Sequence, residues 1–171
     1  YDKPYDWKEY PVISLSFGDY SVATDALGEL PGYLMYKLQA LAKAHSVTLT
    51  APTPALCFAQ LIDALADNGK NKVVILVDEY DKPILSNISS PDISGLLKCL
   101  KGFYSVLKDR NEQERLLFVT GVSKFCHVSL FSDLNNLTDI TMKRDYAGML
   151  GFTEAEIREY FADRINAAAK S

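Results

Sequence analysis

The chain has 171 residues, 48% hydrophobic and 23% charged, with a formal net charge of −4, a composition typical of a globular domain able to bury one proper core. The acidic balance and the absence of any dense Lys/Arg cluster exclude nucleic-acid binding driven by electrostatics alone. No apolar run approaches the roughly 20 residues that span a bilayer, so no membrane role is expected.

Taken in chain order, "YPVISLSF" (Tyr10 to Phe17) alternates Val12, Ser14 and Ser16 against Ile13, Leu15 and Phe17, which predicts a strand. "GDYS" then turns. A helix is expected after Pro31, a residue suited to a first helical position, with Leu34, Leu38 and Leu41 on its apolar face. A second helix is predicted with Thr53 as N-cap, Pro54 at the first position and Gly69 as its stop. Its expected buried stripe is Leu56, Ala59, Ile62 and Leu65. Val73 to Val77, five aliphatic residues in succession, predicts a strand buried on both faces. "SPDISGLLKCLKGFYSVLKDRN" predicts one long helix, because Ile93, Leu96, Leu97, Leu100, Phe103, Tyr104 and Leu107 recur at helical spacing. "RLLFVTG" (Arg115 to Gly121) reads as a third strand, and "LTDITM" (Leu137 to Met142) as a short fourth. "GFTEAEIREYF" carries a capping box, Thr153 with Glu156, and Phe152 and Ile157 stand where a hydrophobic staple would. A helix from Thr153 to about Ala169 is expected. Strands alternating with helices predict an α/β fold with a parallel sheet covered on both faces.

Cys57, Cys99 and Cys126 form no CxxC pair and are odd in number, which argues against a disulfide framework and makes the cytoplasm the expected compartment. His45 and His127 lack ligand-like spacing and read as surface or packing residues. No signal-peptide pattern opens the chain. It begins at Tyr1, without an initiator methionine, and is expected to be a fragment or a processed product.

The most informative stretch is "KVVILVDEYDKPI", Lys72 to Ile84, where the most hydrophobic strand ends in two adjacent carboxylates, Asp78 and Glu79. Adjacent acids repel unless a cation or a reaction employs them. In parallel sheets, functional residues collect beyond the carboxyl ends of the strands. A hydrophobic strand ending in Asp-Glu is the Walker B arrangement of P-loop NTPases, in which the aspartate helps hold Mg²⁺ and the glutamate activates the attacking water. A solvated acidic turn is the plainer alternative. The strand Leu116 to Val119 ends in Thr120, with Ser123 shortly after. Thr120 is the candidate for the polar sensor that such folds place beside Walker B, and Ser123 is the reserve. Thr120 could equally only cap its strand. The glycine-rich loop G-x-x-x-x-G-K-[ST] is absent from these residues, and "DNGKNK" (Asp67 to Lys72) follows a helix and precedes a strand, the reverse of the required context.

"VVILVDEYDKPI", "LFVTGVSKF", "VSLFSDLNNLTDIT" and "GFTEAEI" together resemble the predicted AAA-ATPase family, with the likeness running from about Trp7 to Phe161. The resemblance implies a parallel-sheet, three-layer P-loop NTPase-like core of the ASCE type, the subclass with a catalytic glutamate. Residues 1–150 would form the core fragment with its Walker B and sensor strands, and 151–171 the start of a helical lid. Family members typically carry an "RRFGKS"-like Walker A loop before the position at which this chain starts, and often a restriction-endonuclease-like domain after the ATPase region. The resemblance assigns Asp78 to Mg²⁺, Glu79 to catalysis as the base and Thr120 to the sensor role. It makes ATP and Mg²⁺ the ligands of the intact parent, with the fragment alone inactive. It also assigns Val12 to Phe17, Val73 to Val77 and Leu116 to Val119 to strands 2, 3 and 4 of a 5-1-4-3-2 sheet. Leu116 to Val119 would then be an apolar edge, expected to be covered by Leu137 to Met142 folding back or by a second copy of the chain.

Two other readings remain open at this level. One is a degenerate ATPase-fold module that acts through protein contacts without nucleotide chemistry. The other is a metal-dependent nuclease using Asp78, Glu79 and Asp81, which the placement of Lys82 in a turn and the acidic chain disfavour. Asp81 is otherwise expected to cap the next turn, where Pro83 is well placed.

Overall fold

The computed structural model describes residues 7–21, 26–123, 130–131 and 136–169. Cys126, His127 and parts of the Val128 to Thr141 stretch lie outside the described residues. The chain divides into two compact units, Tyr1–Asn136 and Leu137–Ser171.

In the first unit three strands, β1 (Val12–Ser16), β2 (Val73–Asp78) and β3 (Glu114–Val119), form a parallel sheet in the order β1-β2-β3. Between them run α1 (Ala26–Ala44), α2 (Pro54–Leu65), α3 (Lys82–Ser86), α4 (Ile93–Tyr104) and α5 (Val106–Asp109). The strand order is the one expected for strands 2, 3 and 4. Register places Ile13 beside Ile75 and Ile75 beside Leu117, so these side chains share one face. That face holds the core: Ile13, Leu15, Val73, Ile75 and Val77 are buried, together with Leu34 and Leu38 of α1, Phe58, Leu61 and Ile62 of α2, and Leu96, Leu100, Phe103 and Tyr104 of α4. Phe58 stacks on Phe103 with ring centroids 4.9 Å apart.

The opposite face differs from expectation. Val12, Ser14, Ser16 and Leu116 are exposed, and Val74, Leu76 and Phe118 are only half-buried. The expected second covering layer is not seen among the described residues. β3 is an edge strand there, and Leu137 to Met142 forms no strand, against the expectation of a short fourth one. The polar "TD" at its centre leaves too short an apolar run to repay the ordering of a strand.

Helix ends follow local chemistry more than composition. Thr53 caps α2 as expected, its hydroxyl accepting from Leu56 N–H, with Pro54 in the first turn. α2 ends at Leu65, earlier than Gly69 suggested. A 3₁₀ turn, Asp67–Gly69, intervenes, and Gly69 takes φ +90°. The buried stripe of α2 is rotated from the expected one: Cys57, Phe58, Ala59, Leu61 and Ile62 face inward and Leu56 is exposed. α1 begins at Ala26 and contains Pro31 in its interior. At the sixth residue of the helix it gives up one intrahelical bond, the one its N–H would make to the carbonyl of residue 27. The long helix expected from Ile93 breaks at Ser105 into α4 and α5.

In the second unit, α6 (Glu154–Tyr160) opens with the expected capping box, Thr153 and Glu156 bonding each other's backbone N–H. The helix is interrupted at Phe161, and α7 (Ala162–Ala168) follows. Phe152 meets Phe161 edge-on at 5.4 Å. No helix of the described residues is long and apolar enough to cross a membrane.

Candidate functional site

Two parallel strands end side by side at Asp78 and Val119, and the ladder continues beyond both. Thr120 N–H donates to Val77 C=O at 2.8 Å, and Tyr80 N–H donates to Thr120 C=O at 3.1 Å. This pairing brings the Thr120 hydroxyl onto Asp78 Oδ1, to which it donates a hydrogen bond. Asp78 itself is exposed. The two residues that sequence reasoning singled out on separate strands are therefore in direct contact. Ser123, the reserve candidate, accepts the Tyr80 hydroxyl on its backbone carbonyl at 2.7 Å.

Glu79 departs from its neighbours. Its φ is +52°, the left-handed region, which costs a non-glycine residue about 1 kcal/mol or more. The turn it makes reverses the chain so that Tyr80 and Asp81 fold back toward β3. The Glu79 carboxylate is partly exposed and lies 3.9 Å from Lys82 Nζ, an ion pair too open to contribute much stability. Glu79, Asp81, Lys82, Leu85, Ser86 and Val122 line an open cleft of about 450 Å³.

Asp81 does not cap the following helix, although it occupies the N-cap position of α3. Its Oδ2 instead accepts the backbone N–H of Val122 at 3.0 Å and of Ser123 at 2.6 Å, across the strand gap. The side chain is 1% exposed. This corrects the capping expectation: the carboxylate takes two consecutive backbone donors on one oxygen, a charge-assisted pair, where a cap would give it a single bond at the helix end. One Asp81 oxygen is thus engaged and the residue is nearly closed to solvent, and among the described residues Asp78, Glu79 and Asp81 form no group that could hold a metal ion. Lys82 opens α3 and does not lie in a turn. Burial of its own ring pushes the Tyr104 phenol up, and the nearby Asp81 charge adds to the shift. The Tyr104 hydroxyl donates to Tyr80 C=O at 3.3 Å.

A further polar cluster stands past the end of β1, whose Ser16 is in register with Asp78. Asp19 receives Lys37 Nζ at 2.7 Å and the Tyr33 hydroxyl at 2.6 Å. The hydrogen bond from Lys37, then that from Tyr33, hold the Asp19 carboxyl below its ordinary range, while burial followed by the Asp19 bond pushes the Tyr33 phenol up. Sequence reasoning passed over this group. Its one signal was an acidic residue just after a strand, in "GDYS". His45, as expected, has a packing role: its Nε2 meets Val12 C=O at 3.0 Å. Cys57 and Cys99 are free thiols, both raised by burial.

The model of the family described as Predicted AAA-ATPase matches residues 1–131. The chain belongs to this family. It is also 39% identical over 163 residues to a protein of Azotobacter chroococcum mcd 1 described as "Uncharacterized protein in vnfD 5′ region". That alignment covers 94% of this chain but only 31% of the relative, so the chain spans about a third of the length of the curated relative it matches. No solved structure matches the chain.

The family suggests ATP and Mg²⁺. Among the described residues no group of three or more His, Cys, Asp or Glu side chains could hold a metal ion by itself. Mg²⁺ in nucleotide sites is ordinarily held by one or two carboxylates plus substrate phosphates. Asp78, exposed at a strand end with a hydroxyl on one of its oxygens, is a hard oxygen donor of the required kind.

Proposed function

We propose that this chain supplies the Walker B and sensor strands of a P-loop-type ATPase core within a longer protein that binds ATP with Mg²⁺ and hydrolyses it. The observation that carries the reading is the contact between Asp78 and Thr120 at the ends of adjacent parallel strands, with Glu79 next in sequence but turned out by its left-handed backbone. Asp78 belongs to the Mg²⁺ ligand shell. When bound, the ion would supply positive charge against the negative charge of the phosphoryl group being transferred. The Thr120 hydroxyl fixes the rotamer of Asp78 and leaves its second oxygen available. Glu79, held on a separate trajectory, takes the proton of the attacking water as general base. The phosphates themselves require a glycine-rich loop that these 171 residues do not contain. The half-covered face with Val74, Leu76, Leu116 and Phe118, and the edge of β3 that no strand among the described residues pairs, support this reading, since a sheet in a larger core leaves such surfaces for further elements. The helical segment from Thr153 would open a lid.

The test uses the full-length protein that carries this chain. Glu79→Gln should reduce ATP turnover by about 10²-fold or more while ATP remains bound. Asp78→Ala should weaken Mg²⁺-dependent nucleotide binding as well. A Glu79→Gln variant with wild-type turnover would overturn the assignment of the base. Size-exclusion chromatography of residues 1–171 alone tests the edge: a monomer would remove a second copy as what covers β3, and a dimer that a charged substitution at Leu116 dissociates would support it.

A further inference from the structure

Of the four residues Asp78, Glu79, Tyr80 and Asp81, three reach toward the exit of β3. Asp78 accepts the Thr120 hydroxyl, Tyr80 spans to the Ser123 carbonyl, and Asp81 takes the amides of Val122 and Ser123 on one oxygen. Gly121 lies between these contacts. A Cβ there would stand 2.3 Å from Tyr80 Cε1 and 2.8 Å from Asp81 Oδ1, so the strand exit passes against both side chains with no room for any other residue. The Tyr80 ring is in turn set 4.9 Å from Phe131, and its backbone carbonyl receives Tyr104. The end of β3 is thus gripped on both sides of Gly121, by the ladder at Thr120 and by side chains at Val122 and Ser123.

We propose that Asp81 and Tyr80 are positioning residues that fix the β3 exit so that Thr120 stays on Asp78. The inference rests on the ATPase reading for its kinetic consequence but not for its structural one. Asp81 acts as a buried, charged acceptor whose single oxygen serves two consecutive N–H groups, the manner in which backbone amides cradle an anion. Here the anion belongs to the chain itself. Without it, the part-buried amides of Val122 and Ser123 lose the partner that holds them and turn to water, and the residues after Thr120 are released. The Thr120 hydroxyl then loses its fixed direction, and a displacement near 1 Å at such a group lowers turnover by about 10²-fold.

In the full-length protein, Asp81→Ala should raise amide hydrogen exchange in the peptide carrying Thr120 to Ser123 by about tenfold or more. It should lower kcat for ATP by up to about 10²-fold, with KM changed less than about twofold. Asp81→Asn keeps an oxygen at the same place and should restore the larger part of both. Tyr80→Phe retains the ring and loses the hydroxyl bond to Ser123, so it should give a smaller change of the same kind; it also decides the matter if Asp81→Ala fails to fold. Unchanged exchange in Asp81→Ala and Tyr80→Phe would overturn the proposal. So would a loss of thermal stability with kcat and KM as in the wild type, which is the signature of a purely structural contact. A wild-type protein that hydrolyses no ATP would instead overturn the ATPase reading, and the exchange measurement would still decide whether Asp81 holds the β3 exit.

Discussion

β2 and β3 are neighbours of equal length, joined by a parallel ladder, yet they are held by different means. β2 buries Val73, Ile75 and Val77 completely and has a paired strand on each side. β3 has no fully buried side chain: Leu116 is 49% exposed and Leu117, Phe118 and Val119 are half-buried. What β3 lacks in packing is replaced at its exit by polar fixation, through Asp78, Tyr80 and Asp81. The hydrophobic effect is non-directional and tolerates sliding of a half-buried strand. Hydrogen bonds to a buried carboxylate are directional and tolerate little. A strand whose end presents a chemical group can therefore be loosely packed along its length and still be accurate at its tip.

The largest expected effect breaks the tip. Gly121→Ala places a methyl carbon inside the van der Waals envelope of the Tyr80 ring, which is itself buried against Phe131 and hydrogen-bonded at its hydroxyl. Neither side can yield without losing a contact, so the destabilisation should reach the upper end of the overpacking range, about 3 kcal/mol. Urea unfolding measures it as a fall in midpoint at constant slope. A variant within about 0.5 kcal/mol of wild type would mean that the two strand ends are not tightly apposed.

A second experiment sharpens the contrast along the strands. Ile75 and Leu117 are direct register partners on the same face. Ile75→Ala empties a fully enclosed site and should cost about 3 kcal/mol or more, whereas Leu117→Ala, at a site already open, should cost about 1 kcal/mol. Equal losses would show that β3 is packed as tightly as β2.

The sequence made the strands legible because their apolar residues run at period 2 or continuously, and it made the helix starts legible where a capping residue stood, at Thr53 and Thr153. Both signals are local. Asp78 and Thr120 could be named as candidates because each ends an apolar run, but their contact depends on the register between β2 and β3, which no local pattern encodes. Asp81 was misread for the same reason. Its nearest donors along the chain are those of α3, and its actual donors lie 41 and 42 residues away. The rotation of the α2 stripe, which leaves Leu56 outside and Cys57 and Phe58 inside, likewise follows from where α1 and α4 stand. The half-open sheet face was not legible either: Val74, Leu76 and Phe118 read as buried from composition, because an apolar strand carries the same residues whether or not its second face is covered.

The smallest expected effect lies at the opposite end of β3 and tests whether the loose packing there has an electrostatic consequence. Glu114 begins the strand with its Oε1 buried and without a hydrogen-bond partner. Desolvation alone pushes its carboxyl up to about 7, from an ordinary value of 4.5. The folded protein therefore holds a proton on Glu114 over a range in which the unfolded chain has released it. Stability from this group is fully present below pH 4.5, declines as pH rises, and is lost above pH 7. The group is only partly buried, so solvent screening reduces the effect to about 1 kcal/mol across that window. Glu114→Gln carries no titrating proton and fills the same space. It should abolish this part of the pH dependence and leave the variant more stable than wild type near pH 8 by about the same amount, with little difference near pH 4. Urea midpoints at pH 4, 6 and 8 for both proteins decide it. Parallel curves would mean that water reaches the Glu114 carboxylate, and that the entrance of β3 is even more open than its burial implies.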